Sequence, residues 1–256
     1  MILGYIGAAL IGLSLGLMGS GGSILTVPVL VYLFHQDEKV AIAGSLFIVG
    51  TIALIGGLTY LKDKLVDWKT VFLFGIPGMI GTYGGAWLAK FVPGIVQLVF
   101  FALVMLLAAY FMITSPQLDP SQAKDRKVWK IVLDGLIVGI ITGLVGVGGG
   151  FLIVPALVLL GGLPMHRAIA TSLIIIALKS FSGFYKYLDV LQSQNLSLDW
   201  KTLGIVTVIG ILGTFAGNFM AGKTPQDKLK QYFAWFLVVM ALFILYREAP
   251  KALAMI

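Results

Sequence analysis

The sequence predicts an all-α integral membrane protein made of two homologous repeats, each with about five helical segments. Three observations predict this class: the composition, a series of apolar runs, and an internal duplication. Of the 256 residues, 59% are hydrophobic and 11% are charged, and the mean hydropathy is +1.01. A soluble domain has roughly 25% charged residues. We therefore expect lipid, rather than water, to surround most of the surface.

The composition also excludes several functions. The net charge of +7 is typical of a membrane protein with Lys and Arg in its cytoplasmic loops, so it does not indicate nucleic-acid binding. The chain contains no cysteine, which excludes disulfides, thiolate metal sites and iron–sulfur clusters. No basic residue precedes the first apolar run, so we expect a first membrane segment there rather than a signal peptide.

Ten apolar runs follow one another along the chain. A helix needs about 20 residues to span the bilayer. Two of the runs are too short and would rise only about 18 Å. Each short run begins at a glycine cluster and has a proline in its first turns. The runs are 2–18, 23–34, 40–61, 70–90, 95–114, 131–146, 150–161, 166–188, 200–221 and 229–246.

The short runs occupy corresponding points of a duplication. Residues 12–46 align without gaps to residues 139–173, and the match resumes at "DWKT", residues 67–70 and 199–202. We therefore predict a first membrane repeat at 1–114, a polar linker at 115–130 and a second membrane repeat at 131–248.

The orientation of the two repeats depends on the glycine breaks. If each break makes a hairpin, the repeats are inverted, related by a pseudo-two-fold axis, and both termini lie outside. If each break is a kink in one crossing, the repeats are parallel. The distribution of basic residues is the same in both cases. The lengths of the runs favour the hairpin.

The duplicated motifs resemble a known family. The chain reads "GLSLGLMGSGGSILTVP" at 12–28 and "GIITGLVGVGGGFLIVP" at 139–155, and "AIATSL" follows at 168–173. This pattern resembles the TauE/SafE sulfite-exporter family over nearly the whole chain. The resemblance implies a multi-pass transporter in the inner membrane of a bacterium or archaeon. It also implies cargo such as sulfite, organosulfonates and similar small sulfur anions.

The glycine clusters are candidate anion sites. Many transporters bind substrate at helices broken at corresponding points of two repeats. Glycine lets the backbone approach closely, and the free N–H groups at a helix start attract anions. We expect free N–H groups at Ser23 and Gly150. The alternative is close helix packing, which we expect at Gly12, Gly16, Gly81 and Gly85. The candidate residues of the clusters are Ser20, Gly21, Gly22, Ser23, Gly148, Gly149 and Gly150.

Lys179 is the strongest single candidate. It lies near the centre of an apolar run, where a lysine costs about 2.5–3.5 kcal/mol on insertion scales. Its counterpart in the first repeat is Ile52. No carboxylate lies within a span to pair with it, unless Asp134 reaches in from a helix start. The family resemblance implies a polar residue here, often Asn, so a lysine favours an anionic partner. The alternative is a lysine that snorkels or caps backbone carbonyls.

Four further polar residues complete the predicted site: Ser45, Thr171, Ser172 and Asn218. The hydroxyls among them have an alternative role, since Ser and Thr in helices also bond to the preceding turn. No catalytic pair and no metal-ligand set is apparent, so we expect no enzyme activity, no cofactor and no metal.

The predicted function is secondary transport. The protein would export small sulfur-containing anions, such as sulfite or sulfoacetate, across the inner membrane, with the anion between the two broken-helix N-termini. A passive anion channel, or an importer of a different small organic anion, is the alternative. The expected partners are a small anionic substrate and the lipid bilayer, without nucleic acid, and a homodimer is left open.

Overall fold

The structure is a computed structural model that describes residues 2–114, 128–145 and 150–253. These residues form ten helices, close to the ten predicted apolar runs. Two short helices, α2 and α7, each continue into a π-helical turn. The helices are α1 Ile2–Met18, α2 Gly21–Pro28 with Val29–Leu33, α3 Glu38–Thr59, α4 Trp68–Phe91, α5 Gly94–Thr114, α6 Val128–Val145, α7 Gly150–Pro155 with Ala156–Leu160, α8 Met165–Ser193, α9 Trp200–Lys223 and α10 Gln226–Leu253.

Seven of these helices are long and apolar enough to cross a membrane: α3, α4, α5, α6, α8, α9 and α10. Their exposed surface carries many large apolar side chains, which a lipid environment accepts and water does not. The predicted class, an all-α multi-pass membrane protein, is therefore confirmed.

The first glycine break is a hairpin. Gly19 has a φ of +72°, a conformation that residues with a Cβ rarely adopt. After this turn α2 runs back along α1, so that Gly7 faces Val29 and Gly4 faces Phe34. The hairpin therefore returns to the end of the molecule where α1 starts, as the run lengths predict. The corresponding turn in the second half, 146–149, lies outside the described residues.

A proline is followed by a π-helical turn in both short helices. Pro28 precedes Val29–Leu33 and Pro155 precedes Ala156–Leu160. Proline has no N–H group and interrupts the regular i→i−4 bonds. The wider π turn then restores backbone bonding in a shifted register.

Glycines bring two helix pairs into close contact, α1 with α9 and α4 with α6. A Cβ on Gly12 would overlap the backbone of Gly210, and a Cβ on Gly139 would overlap that of Gly78. The same holds for Gly16, Gly81 and Gly85, which face Thr214, Leu136 and Ile140. The predicted packing role of these glycines is confirmed.

Helices α3 and α8 cross at the centre of the molecule in opposite directions. Gly50 faces Ser180, and Gly57 faces Ile174. The remaining large contact joins α5 to α10. Each main contact therefore joins one predicted repeat to the other. The repeat boundaries at 1–114 and 131–248, and the linker between them, stay a prediction.

Candidate functional site

Lys179 lies fully buried in the middle of α8, against α4. Its alkyl stem rests on Gly78, where an added Cβ would lie 3.0 Å from the lysine Cδ. The Nζ atom is 5.8 Å from the centroid of the Phe74 ring. Nζ makes no hydrogen bond to any residue that the structure describes. Lys179 thus combines complete burial with a cationic group that lacks a protein partner in the described part of the chain.

The neighbouring polar groups of α8 do not neutralise Lys179. Ser182 donates to the Met79 carbonyl at 3.1 Å. Lys186 pairs with Asp189 at 2.6 Å near the end of the helix. Asp134, the carboxylate that the sequence offered as a partner, makes no hydrogen bond to the Lys179 ammonium. The ammonium group is therefore available to a ligand.

The first glycine break meets α8 close to that helix's start. The Ser172 hydroxyl donates to the Gly19 carbonyl at 3.2 Å and to the Ile169 carbonyl at 2.8 Å. The Ser20 hydroxyl is buried without a hydrogen bond among the described residues. The expectation of a free Ser23 N–H is wrong, because this group bonds to the Ser20 carbonyl at 3.2 Å and the Ser23 hydroxyl donates there at 2.7 Å.

The glycines that follow the break face the other arm of the hairpin. An added Cβ on Gly22 would lie 2.6 Å from the Leu15 Cβ, and one on Gly21 would lie 3.2 Å from the Ser14 Cβ. Their missing side chains make room for α1. Gly148 and Gly149 lie outside the described residues, and Gly150 is the first residue of α7.

Thr171 and Asn218 lie at the same end of the molecule as the first break. Thr171 Oγ1 accepts a hydrogen bond from the Asp67 N–H at 3.0 Å. Asn218 Nδ2 donates to Thr59 Oγ1 at 2.8 Å and to the Gly56 carbonyl at 3.3 Å. Thr171 thus links α8 to the start of α4, and Asn218 links α9 to the end of α3.

Ser45 lies at the other end of the molecule, and Lys179 lies at a depth between the two ends. Seven residues separate Ser172 from Lys179 on α8, a rise of about 10 Å. Beyond Lys179, Gly183 faces Leu46, the neighbour of Ser45. The Ser45 hydroxyl is buried and has no hydrogen bond among the described residues.

A second polar cluster, which the sequence reasoning missed, lies at the Ser45 end. We call it the Lys39 network; it consists of Lys39, Gln97 and Tyr187. Lys39 Nζ donates to the Ala89 and Val92 carbonyls at 2.7 Å each and to Gln97 Oε1 at 2.6 Å. A signal was available, because Gln97 is the one amide in the apolar run 95–114.

The network continues to the end of α6. Gln97 Nε2 donates to the Leu144 carbonyl, and also to the Tyr187 hydroxyl at 3.2 Å. The Tyr187 hydroxyl donates to the same Leu144 carbonyl at 3.3 Å. Leu144 lies two residues before the second break at 146–149, so the network holds the backbone that leads into this break.

No group of side chains suited to a metal ion occurs in the described ranges. A surface cleft of about 360 Å³ borders the Lys39 network, and its lining includes Asp37, Lys39, Lys90 and Gln194.

Helices long and apolar enough to span a membrane, a glycine-broken hairpin and a buried lysine without a hydrogen-bond partner in the described chain are features of membrane transporters. Comparison with known proteins identifies the class further. The chain belongs to the family described as "Sulfite exporter TauE/SafE", which matches residues 5–244. No solved structure gives a significant match.

Several relatives match along most of their length. A "Probable membrane transporter protein" of Xylella fastidiosa (strain 9a5c) is 28% identical over 253 residues, 96% of this chain and 95% of its own. A protein of Methanocaldococcus jannaschii with the same description, MJ0441, is 27% identical over 96% of this chain and 94% of its own. YunE of Bacillus subtilis is 31% identical over 65% of this chain and 70% of its own. These relatives are named as membrane transporters, which are not enzymes.

Proposed function

We propose that the protein is a secondary transporter that exports small sulfur-containing anions, such as sulfite or sulfoacetate, from a bacterial or archaeal cell. The proposed membrane is the inner membrane. The family and the named relatives support transport. The observation that carries the choice of an anion is Lys179, whose buried ammonium has no hydrogen-bond partner in the described chain.

An anion is the natural ligand for this lysine. A buried cation is costly unless it is paired, and a small oxyanion supplies both an opposite charge and hydrogen-bond acceptors. Lysine presents three rotatable donors rather than a planar fork. It therefore accepts pyramidal sulfite and tetrahedral sulfonate groups alike, which suits a transporter of several sulfur anions.

We propose that the anion crosses the molecule along a path that passes Lys179, with a buried hydroxyl group on either side of this lysine. Ser20 at the first break and Ser45 towards the other end are both buried, and neither hydroxyl is bonded within the described residues. Each can donate one hydrogen bond to a passing oxyanion. We assign the strongest binding to Lys179, between these two points, with the starts of the broken helices α2 and α7 adding partial positive charge.

The helix arrangement supports alternating exposure of this site. In inverted repeats, equivalent helices run antiparallel across the pseudo-two-fold axis. The third helices of the two halves, α3 and α8, cross in this way. The packing of Lys179 on Gly78 also matches that of Ile52 on Gly210. We propose that the two halves rock against each other around Lys179.

A counterflow assay tests the proposal. Proteoliposomes loaded with unlabelled sulfite should accumulate labelled sulfite, and sulfoacetate should compete while taurine and chloride compete poorly. Chloride conducted without exchange would indicate a passive channel instead. Export itself predicts that sulfite-loaded cells lose sulfite faster when they produce the wild-type protein than when they produce Lys179→Met.

A further inference from the structure

We infer that the Lys39 network is the gate that closes the anion path at the end of the molecule where α3 begins and α8 ends. This inference rests on the proposed transport function, since a gate implies a path. It concerns residues outside the predicted binding site, and it assigns different roles to the two ends of the molecule.

The network lies between water and the buried hydroxyl of Ser45. On one side, the surface cleft of about 360 Å³ reaches Lys39. On the other side, Ser45 lies six residues further along α3, a rise of about 9 Å. Tyr187 likewise lies eight residues beyond Lys179 on α8, about 12 Å nearer the surface. A solute entering from the cleft therefore meets the network before it meets Ser45 or Lys179.

The hydrogen bonds join five helices at this end. Lys39 belongs to α3, its backbone acceptor Ala89 to α4, Gln97 to α5, Leu144 to α6 and Tyr187 to α8. Separating α3 from α4 or α5 must break bonds of the Lys39 ammonium. Separating α8 from α5 or α6 must break bonds of the Tyr187 hydroxyl. Because the polar atoms are buried, broken bonds are not replaced until water enters.

Within the described residues, the equivalent positions at the opposite end do not form a connected network. The duplication pairs Lys39 with His166, Tyr187 with Tyr60 and Gln97 with Leu229. His166 makes one hydrogen bond where Lys39 makes three, from its Nε2 to the Ala221 carbonyl at 3.0 Å.

The other two counterparts add no such bond. The Tyr60 hydroxyl makes no hydrogen bond among the described residues, and Leu229 has no polar side-chain atom. The end with the Lys39 network is therefore closed by one connected set of hydrogen bonds, whereas the bonds described at the first-break end, such as Ser172 to Gly19 and Asn218 to Thr59, are separate from one another.

The absence of native cysteine allows a direct test by site-specific labelling in proteoliposomes. Ser45→Cys reports access past the network, and Ser172→Cys reports access from the opposite end. A membrane-impermeant charged thiol reagent is applied to each side in turn. Gln97→Leu copies the residue at the opposite end, and Tyr187→Phe removes only the hydroxyl. Tyr60→Phe is the matched control.

Each gate variant should raise the labelling rate of Ser45→Cys by about fivefold or more, the effect of losing one typical buried hydrogen bond. The rate at Ser172→Cys should stay constant or fall. Tyr60→Phe should change neither rate. Because labelling requires no anion, it can succeed even if Lys179 proves not to bind sulfite.

Three results would overturn the gate. The first is an unchanged Ser45→Cys rate in both variants. The second is an equal rise at both cysteines, which would show general loosening. The third is rapid labelling of Ser45→Cys in the parent protein. A variant that does not purify as a folded species is replaced by the other, since the two act on different helices.

Discussion

Replacing Lys179 with methionine should separate a ligand-binding lysine from a structural one. Methionine keeps an unbranched stem that can rest on Gly78, and it removes the ammonium group. A structural lysine that bonded to the protein would lose those bonds, and the variant would be less stable. Lys179 has no such bond among the described residues. We therefore expect the variant without anion to melt at the wild-type temperature or above it.

Anion binding should change in the opposite direction. A lysine and an anion about 4 Å apart attract by about 4 kcal/mol at an effective dielectric constant of 20. Part of this is offset because the anion must lose water on entering the site. We expect a loss of at least about 1.4 kcal/mol, which is tenfold in the dissociation constant. Lys179→Arg should bind better than the methionine variant but worse than the wild type, because the charge is kept while the planar guanidinium fixes its donors in directions that the lysine ammonium does not.

Calorimetry and thermal-shift measurements on purified protein provide the assay, with sulfite and sulfoacetate as ligands. Ile52→Met is the matched control, because Ile52 packs on Gly210 as Lys179 packs on Gly78 but carries no charge. The control should bind like the wild type. If Lys179→Met binds these anions as tightly as the wild type does, or melts several degrees lower without anion, the lysine is structural and the reasoning is refuted.

Three further predictions concern the fold. Gly139→Val should abolish the monodisperse peak in size-exclusion chromatography, because the added Cβ would overlap the Gly78 backbone. Gly84→Val should keep this peak, because an added Cβ there has no neighbour within 4 Å. Equal behaviour of the two variants would contradict the close packing of α4 on α6. Ser172→Ala should lower the melting temperature slightly, because the Gly19 carbonyl loses the hydrogen bond from the Ser172 hydroxyl, a loss of about 1 kcal/mol of stability. An unchanged melting temperature would show that this hydrogen bond does not stabilise the hairpin. Asp199→Ala should lower the melting temperature at neutral pH. Hydrogen bonds from Thr202 lower the pKa of the Asp199 carboxyl, so its stabilisation is present above the ordinary carboxyl pKa and is lost as pH falls through the lowered one. Asp199 caps the start of α9, where its carboxylate accepts hydrogen bonds from the Lys201 and Thr202 N–H groups, and a difference between wild type and variant that persists in acid would contradict this role.

The sequence predicted the helices well because lipid makes the hydrophobic signal strong. The apolar runs matched ten helices, and the two short runs marked the broken ones. The hairpin at Gly19 also followed from length alone, since 2–18 and 23–34 together exceed one crossing. These features depend on local composition and on rise per residue, which a sequence displays directly.

The candidate site was harder to predict from the sequence, because the role of each site residue depends on which helices pack together. Gly22 fits an anion cradle by sequence, yet the structure places it against Leu15 of α1. Gln97 is a single polar residue in an apolar run, and its role appears only when Lys39 and Tyr187 are brought to it from α3 and α8. Lys179 was recognisable because a central lysine is costly wherever its helix packs.

Direct location of a bound anion tests the central claim most sharply. Selenite has the shape and charge of sulfite, and its selenium atom gives an anomalous diffraction signal. In crystals of the wild-type protein soaked with selenite, we predict a selenium peak within about 4 Å of Lys179 Nζ, the distance of an ion pair. The peak should disappear in Lys179→Met crystals. A peak that persists in the variant, or that lies only at the Gly19 hairpin turn, would contradict the assignment of Lys179 as the residue that binds the anion.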